Sequence, residues 1–492
     1  MHGMPPLPEL GTGCHAQLND LRRHWCVIVG PSAQASASNH TSRIWSVEQL
    51  YRKLDAHLFG RGRWRIEASG VDGLASTGEL AGLEHLHLAW CREAASRIDG
   101  ECLCVEFEGL PMSQLERAVR CRLGHPGGTL CARVWQLQAA QAPTLLLAGR
   151  LRLDHRSLHR SVALCATKVS ALLKGAMARR GRQVRTKDVG DTQPPVPLAA
   201  GVHLLRLVRS VLTRLWWRDQ WQLEVLPSVG GTSSDRGAAV AIRPPEAVFW
   251  ADPFLLRRNQ RTWILFEELA FATNRGHISA IEIDVAGRPV AAPRVVLREP
   301  WHLSYPFLWQ EGGRLYMIPE AGESRELTMY EAVGDDMQWQ RRAVLISGER
   351  LADATVARAD DRLWMFTTCA DEGVASMEDA LHIYWAERIE GPWHPHALNP
   401  VKIDATSSRP AGSMQLVDGV LHRVVMDCSS TYGGGVRWMR VVRLTTDEFE
   451  EEAVPGRLPE RQTESQPWHT FNAIDGMIVT DRQVRLPRWR TR

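Results

Sequence analysis

The sequence predicts an all-β five-bladed β-propeller over residues 219–492, preceded by a smaller α/β domain over 1–186, and three observations carry this. A motif recurs from Ala247 onward at intervals of 48 to 62 residues. Fourteen of the 19 Trp lie at or after Trp216, where short apolar runs alternate with turn dipeptides. A chain of 492 residues exceeds what one core ordinarily serves, so two domains are expected.

The first repeat reads VFWADPFLL, a polar turn, then TWILFEEL. The second reads LSYPFLWQEGGRLYMIPEA, the third ADATVARADDRLWMFTTC and the fourth SSRPAGSMQLVDGVLHRVVMDC; the fifth opens at HTFNAIDGMIVTD. Taking Asp252, Tyr305, Asp353, Arg409 and Phe471 as anchors, Trp263, Tyr316 and Trp364 each fall eleven residues on, at the start of a second strand. Gly312-Gly313, Asp360-Asp361 and Asp418-Gly419 stand between first and second strands, where tight hairpin turns are required. Third strands are expected at HISAIEID, ELTMYEA, LHIYWAE and VRWMRVVRL, and fourth strands at RVVLRE and RAVLIS, all rich in β-branched and aromatic residues. The fifth repeat runs out of sequence, so the strand-like WQLEVLP (221–227) is expected to supply its missing strand and remove two exposed sheet edges.

Before residue 187 helical patterns alternate with apolar strands such as Cys26–Gly30 and Cys102–Phe107. The join is a polar, Pro-containing stretch, KDVGDTQPPVP (187–197), and then one amphipathic helix, together spanning 187–218. On that helix Leu204, Leu205, Val208, Val211, Leu212 and Leu215 share a face, Arg206, Arg209, Arg214 and Arg218 lie largely off it, and Trp216 and Trp217 close it. Such a helix packs between domains or lies on a membrane surface.

Net charge is +3 with a pI near 8.4, which excludes little. Residues 148–187, however, carry eleven Lys/Arg against the single acid Asp154. This stretch either attracts anionic lipid, nucleic acid or a phosphorylated sugar, or is a solvated helix face. No nucleic-acid partner is expected from so mild an overall charge. Ten Cys without paired spacing resemble neither a zinc site nor a disulfide framework, so buried or free thiols in a reducing cytoplasm are expected, with no metal and no cofactor. The opening MHGMPPLPEL lacks the pattern of a secretion signal, and no long uninterrupted apolar run occurs. A cytoplasmic protein, with peripheral contact at the inner membrane, is the expectation.

In a propeller the first strand of each blade lines the axis, which would make Asp252, Ser304, Tyr305, Asp353, Arg409, His469 and Asn472 neighbours. Second strands add Glu267, Glu268 and Glu320, and Asp427 takes the same place in the fourth repeat. Acids converging from separate blades suit glycosidic chemistry, in which one carboxylic acid protonates the leaving oxygen and another carboxylate activates water or attacks the anomeric carbon. The alternative is that these groups only bond one another around the channel.

The combination WADPF, SYPF, PEAGES, DATV, SSRPAG, YGGG and HTFNAIDG resembles the propeller domain shared by bacterial polysaccharide-cluster proteins and the N-terminal part of plant glucosamine inositolphosphorylceramide transferases, over roughly 219–486. That domain is similar in fold to the five-bladed clan of arabinanases, invertases and levansucrases. The resemblance implies Asp252 as base or nucleophile and Asp353 as the second inner-strand Asp, with Glu320 placed as the acid. Tyr305, Arg409, His469, Asn472, Glu268 and Asp427 are then the expected substrate-binding residues. The plant enzymes' transfer chemistry resembles that of a separate C-terminal domain, which is not expected in this chain. Upstream, GGTLCARVWQLQAAQAPTLLLAGRLRLD resembles the end of a formyltransferase-like domain. That family's Asn-x-His pair is absent, and its D-x-G step is replaced by Ala139 to Pro143. His125 is the one lone candidate, so a degenerate, non-catalytic half is expected.

Together these imply a carbohydrate-active protein of surface-polysaccharide or glycolipid biosynthesis, binding a glycan, sugar-phosphate or glycolipid at the axial mouth, with glycoside-hydrolase-like or glycosyl-transfer activity. Two alternatives stay open: a non-catalytic glycan- or partner-binding module, and a formyl or acyl transferase on an amino sugar run by the N-terminal half.

Overall fold

The structure is a computed structural model and describes residues 28–29, 87–89, 101–123, 128–138, 141–182, 200–226, 239–334, 337–370, 377–455 and 467–488. His125, the joint at 187–197, Ala139 and most of the expected strand Cys26–Gly30 lie outside these residues. The described residues divide into two compact units, one up to Val211 and one from Leu212.

In the N-terminal unit β1 (Ile28–Val29), β2 (His87–Ala89) and β3 (Glu101–Phe107) run parallel. Then β3 pairs antiparallel with β4 (Leu110–Pro111) and β5 (Leu130–Gln138), and β5 with β6 (Thr144–Leu151). The helix α1 (Leu115–Arg122) follows β4, and α2 (Leu158–Arg179) follows β6. Ser157 caps α2, its hydroxyl accepting from the Arg160 N–H at 3.0 Å, which satisfies one of the four orphan donors of a helix start. The helix is long and apolar enough by length and composition to cross a membrane, but 67% of its apolar window is buried within the protein. Leu164, Cys165, Leu172 and Ala176 face that interior, the pattern of a core helix. Two members of the basic stretch are inside as well. Lys168 is buried, and Arg179 folds its Nη1 back onto the Gly175 carbonyl at 2.7 Å, burial pushing its pKa down to about 10. The stretch is therefore not a uniformly solvated cationic face.

The amphipathic helix is α3 (Ala200–Trp216). Its buried side is marked by His203 and Leu207, one turn apart. Leu204 and Val211 are half-buried, while Leu205, Val208, Leu212 and Leu215 are exposed, Leu205 by 69% and Leu215 by 65%. The expected apolar face is thus split, and most of it meets solvent.

The C-terminal unit is mostly β-sheet. It opens with β7 (Trp217–Leu226) and β8 (Val240–Ile242), then builds antiparallel sheets in chain order. The first holds β9 (Val248–Arg258), β10 (Arg261–Ala270), β11 (Arg275–Ile283) and β12 (Arg294–Leu297). The second holds β13 (Ser304–Glu311), β14 (Arg314–Glu320), β15 (Glu326–Val333) and β16 (Gln338–Ser347). The third holds β17 (Leu351–Ala359), β18 (Arg362–Cys369) and β19 (Ala380–Ala386), with β20 (His394–Pro395) and β21 (Lys402–Ile403) both on β19. The fourth holds β22 (Gln415–Val417), β23 (Val420–Met426), β24 (Val436–Leu444) and β25 (Phe449–Ala453). In the fifth, β26 (Trp468–Ile474) pairs with β27 (Met477–Pro487), and β27 pairs with β7 along its whole length, from Ile478 opposite Leu226 to Pro487 opposite Trp217. A strand from the start of this unit thereby completes a sheet made at its end.

Each sheet's first hairpin closes on a two-residue turn with both central residues left-handed: Asn259-Gln260, Gly312-Gly313, Asp360-Asp361, Asp418-Gly419 and Asp475-Gly476. This turn's twist matches that of the flanking strands, and Gly, Asn and Asp tolerate its backbone best. Neighbouring sheets share cores. Leu256, Leu265, Leu315 and Met317 join the first to the second, and Phe307, Ile318, Val356 and Met365 the second to the third. Leu226, Val424, Trp438 and Phe471 join the fourth to the fifth, and Val225, Leu255, Ile264 and Val479 the fifth back to the first. Each fully buried Leu, Ile or Phe in these layers contributes roughly 1.5–3 kcal/mol.

Candidate functional site

The site is prepared by a backbone irregularity repeated in the first strands. In β9 the pairing steps from Ala251–Glu267 to Phe254–Leu265, in β13 from Ser304–Glu320 to Phe307–Ile318, and in β17 from Ala352–Thr368 to Thr355–Phe366. Each is a β-bulge with one extra residue, and its first member is left-handed: Asp252 at φ 51°, Tyr305 at φ 44° and Asp353 at φ 54°. A bulge re-aims a side chain that regular pleating would send elsewhere, and non-Gly residues in this region are held there against strain. In β26 the same step runs from Trp468–Arg482 to Phe471–Thr480. The fifth equivalent of Asp252 is therefore His469; the expected anchor Phe471 lies two residues late and packs in a core.

These bulges bring charge together. Arg409 donates from Nε to Asp353 Oδ2 at 2.5 Å and from Nη2 to Asp353 Oδ1 at 3.2 Å, with Glu320 Oε2 3.4 Å from the same Nη2. Its Nη1 donates to the Met377 carbonyl at 3.3 Å. His469 Nδ1 lies 2.9 Å from Asp481 Oδ2 and 3.4 Å from Asp252 Oδ1, while Asp481 also accepts from the backbone N–H of Asp252 and of Thr470. Glu267 completes the group, 3.3 Å from His302 Nε2; the Gly276 N–H donates to His302 Nδ1, which assigns the ring proton to Nε2. All seven of Asp252, Glu267, Glu320, Asp353, Arg409, His469 and Asp481 are buried.

Burial of so many acids near two cations sets the electrostatics. Asp252 is pushed up to about 7 by burial, with Asp353 and Asp481 adding repulsion against the pull of His469 and Arg409. Asp353 also rises to about 7, through burial and the adjacent Glu320, despite Arg409. Glu267 is raised well above the usual carboxylate range by burial and then by Asp252, Glu320, Asp481 and Asp353. Burial works against protonated His469, but Asp481 and Asp252 outweigh it and lift the ring to about 8. The same competition leaves Arg409 well above its ordinary value, Asp353 being its largest support. Ionisable groups pushed toward neutrality at one place are a mark of functional sites, though ion-pair networks produce them too.

An aromatic edge closes the group. Tyr432, half-buried, lies 5.1 Å from the Arg409 Cζ and 4.9 Å from the His469 ring, which also meets the Trp221 ring at 4.5 Å. The neighbouring Gly433 permits this approach: a Cβ there would sit 2.7 Å from Trp221 and 3.2 Å from His469.

The other expected site residues have different duties. The Tyr305 hydroxyl accepts from the Gly412 N–H at 2.8 Å and bonds the Thr355 hydroxyl at 2.9 Å. Asn472 accepts from the Ser413 N–H and donates to the Pro253 carbonyl, both at 2.8 Å. Both side chains thereby bind sheets to one another. The approach they secure is so close that a Cβ on Gly412 would lie 2.0 Å from the Phe471 carbonyl oxygen. Glu268 points to the opposite side of β10 from Glu267, taking hydrogen bonds from Trp250 Nε1 and His277, and it does not join the cluster. Asp427 also stays outside, paired with Arg437 and capping the Ser429 N–H at 2.9 Å. Among the expected catalytic residues, then, Asp252, Asp353 and Glu320 converge. Asp481, Tyr432 and His302 are additions that spacing did not reveal. The one sequence signal for Asp481 is an acid ending the apolar run MIVTD.

Asp252, His469 and Asp481 offer ligand atoms within 4.8 Å of one another, so a cation could be held there. His469 Nδ1, however, is the atom committed to both carboxylates, and its raised pKa keeps a proton in competition with any metal. Its Nε2 is buried without a hydrogen-bond partner among the described residues, and the Trp221 and Tyr432 rings beside the imidazole offer π-electron density that supports its charged form.

Comparison with known proteins bears on the same segment. Two curated relatives, both named glucosamine inositolphosphorylceramide transferase 1, from Arabidopsis thaliana and Oryza sativa subsp. japonica, are 30% identical over 223 residues, 45% of this chain. The matched stretch is 29% and 30% of their lengths, so the chain spans less than a third of each relative. Among solved structures, a family 117 glycoside hydrolase from Zobellia galactanivorans aligns at TM-score 0.35 and 11% identity over 54% of this chain and 90% of its own. A thermostable family-43 glycoside hydrolase aligns at TM-score 0.33 and 12% identity over 43% and 77%. Residues 237–478, which hold every member of the charged cluster but Asp481, match the family described as glucosamine inositolphosphorylceramide transferase 1, N-terminal.

Proposed function

We propose that the five sheets are the blades of a five-bladed β-propeller and that the protein is carbohydrate-active, engaging a glycan, sugar-phosphate or glycolipid headgroup over the charged cluster. Shared cores from first to second and from fifth back to first support the ring. The observation that carries the function is the convergence of Asp252 and Asp353, both pushed up to about 7, with Glu267, which burial and the neighbouring acids also raise well above the usual carboxylate range. Such a set holds a proton donor and a carboxylate in one place at neutral pH, which is what glycosidic bond cleavage or transfer requires. In this reading Glu267, without a cation at its side, is the proton donor. Asp252, supported by His469, acts as base or nucleophile. Glu320 and Arg409 hold Asp353 in position, and this revises Glu320 from donor to positioning residue. Tyr432 offers a flat apolar surface at the edge of the cluster, the kind of wall that orients a bound ring.

A second reading, glycan binding without turnover, is favoured by the burial of all seven charged side chains. One experiment separates the two: glycan-array binding and hydrolysis of the captured glycan, wild type against Asp252→Asn. Loss of turnover with binding kept supports catalysis. Binding without turnover in the wild type supports a module, and no glycan captured by the wild type rejects both.

Peripheral contact with the inner membrane from the cytoplasmic side belongs to the same proposal. The exposed stripe Leu205, Val208, Leu212 and Leu215, flanked by Arg209 and ending in Trp216, suits a helix lying in an anionic bilayer interface.

A further inference from the structure

A second group of metal-ligating side chains, sharing no residue with the cluster described above, stands on the third sheet. Glu349 precedes β17, Cys369 ends β18 and His382 lies in β19. The register explains why they meet. Cys369 pairs with Leu351, and Thr367 with His382, so Cys369 and His382 are diagonal neighbours on one face of the sheet. Glu349, two residues before Leu351, reaches the same place. The ligand atoms of all three lie within 4.8 Å of one another, and each side chain is half-buried, open to small solutes but not loose in water.

We infer that Glu349, Cys369 and His382 form a zinc-binding site with three protein ligands and one open position. The distances suit the ion. Cys369 Sγ is 3.7 Å from Glu349 Oε2. Sulfur and oxygen bound to one tetrahedral Zn²⁺ at ordinary bond lengths would be about 3.6 Å apart. The donor set selects the metal class, because thiolate and imidazole favour zinc over the hard cations calcium and magnesium, which take oxygen ligands. An outer partner is also present. The Tyr384 hydroxyl, also on β19, donates to Glu349 Oε2 at 2.6 Å and orients the carboxylate, as hydrogen-bonded neighbours do around metal ligands. Loading costs one proton: the Cys369 thiol gives its proton to solvent as the Zn–S bond forms, with no change of oxidation state. The three-ligand arrangement leaves the fourth position for water, as in zinc sites that are not closed structural knots.

The test uses the full-length protein freed of metal and titrated with Zn²⁺ in competition with a chromogenic chelator, alongside Co²⁺ as a spectroscopic substitute. The wild type should bind one equivalent and, with Co²⁺, show thiolate-to-cobalt charge-transfer absorption. Cys369→Ser should abolish that absorption, and Cys369→Ser and His382→Ala should each weaken zinc by about 100-fold or more, with Glu349→Gln losing about 10-fold. Zinc should also slow alkylation of Cys369 in the wild type by about 10-fold or more, read by peptide mass spectrometry, a measurement independent of whether any variant folds. Unchanged zinc affinity in Cys369→Ser, or alkylation of Cys369 at the same rate with and without zinc, would overturn the site. The trio would then be a hydrogen-bonded Tyr384–Glu349–Cys369 cluster only.

Discussion

Arg409 and Asp353 form a two-point fork between the fourth and third sheets, with Nε at 2.5 Å from Oδ2 and Nη2 at 3.2 Å from Oδ1. Most of the guanidinium is spent on the protein. Glu320 and the Met377 carbonyl take two further N–H groups, and the Tyr432 ring covers a face. That leaves an anionic substrate group at most the second Nη1 N–H. Arg409→Lys retains a cation but cannot make two parallel bonds, so it should destabilise the protein by about 1–3 kcal/mol. Glycan affinity should stay within about twofold. Denaturant unfolding and a binding titration read the two effects, and a large affinity loss at unchanged stability would restore a substrate role.

The raised acids fix a sign for pH dependence. Asp252 and Asp353 titrate near 7 when folded and near 4 when unfolded, so between those values the folded state binds more protons and stability falls as pH rises. His469, lifted to about 8, acts in the same direction above pH 6.5. Acids held low, such as Asp154 and Glu451, act only below pH 5. The melting temperature should therefore drop by about 5 °C or more from pH 5 to pH 8. Asp252→Asn, which cannot ionise, should flatten the slope. Scanning calorimetry at four pH values checks this, and a rise in melting temperature with pH would contradict it.

Tyr432 lies against both Arg409 and His469 and keeps one edge toward solvent. Tyr432→Ala should weaken glycan binding about 10-fold, whereas Tyr432→Phe, which keeps the ring, should weaken it about twofold or less. Equal losses in both would mean that the hydroxyl, and not the face, is recognised.

Ten consecutive residue pairs hold β7 to β27. A chain beginning at residue 217 retains β7 and should unfold cooperatively. One beginning at residue 231 loses it, leaves β27 and β8 as unpaired edges, and should aggregate. Size-exclusion chromatography and thermal melts of the two compare them directly, and equal behaviour would refute closure by β7.

On α3, Leu205→Glu with Leu212→Glu places charges on the exposed stripe without touching buried His203 or Leu207. Co-sedimentation with phosphatidylglycerol vesicles should fall about 10-fold or more, and the melting temperature should hold. Unchanged sedimentation would leave the stripe without a membrane role.

Much of this was legible in order along the chain. The third strands HISAIEID, ELTMYEA, LHIYWAE and VRWMRVVRL match β11, β15, β19 and β24, and Trp221–Leu226 of WQLEVLP lies in β7 as the fifth sheet's third strand, Pro227 falling outside the described residues. These follow from alternation of side chains and from turn residues that tolerate left-handed backbone, both properties of near neighbours in sequence. Asp252, Asp353 and Glu320 are legible for the same reason, since each lies seven residues from its hairpin turn, whereas Arg409 and His469 stand at other distances from theirs and are legible only as polar members of the repeated motif.

Only the tertiary structure decided what those residues face. Glu267 and Glu268 are adjacent and chemically alike, yet one enters the cluster and the other bonds Trp250 and His277, because successive side chains of a strand take opposite faces. A bulge moved the fifth anchor from Phe471 to His469, and no composition rule marks a bulge. Asp481 meets the Asp252 N–H across 229 positions of sequence. A carboxyl's pKa depends on burial and on charges a few ångströms away, so the acids that hold protons near pH 7 were set when separate sheets closed around them.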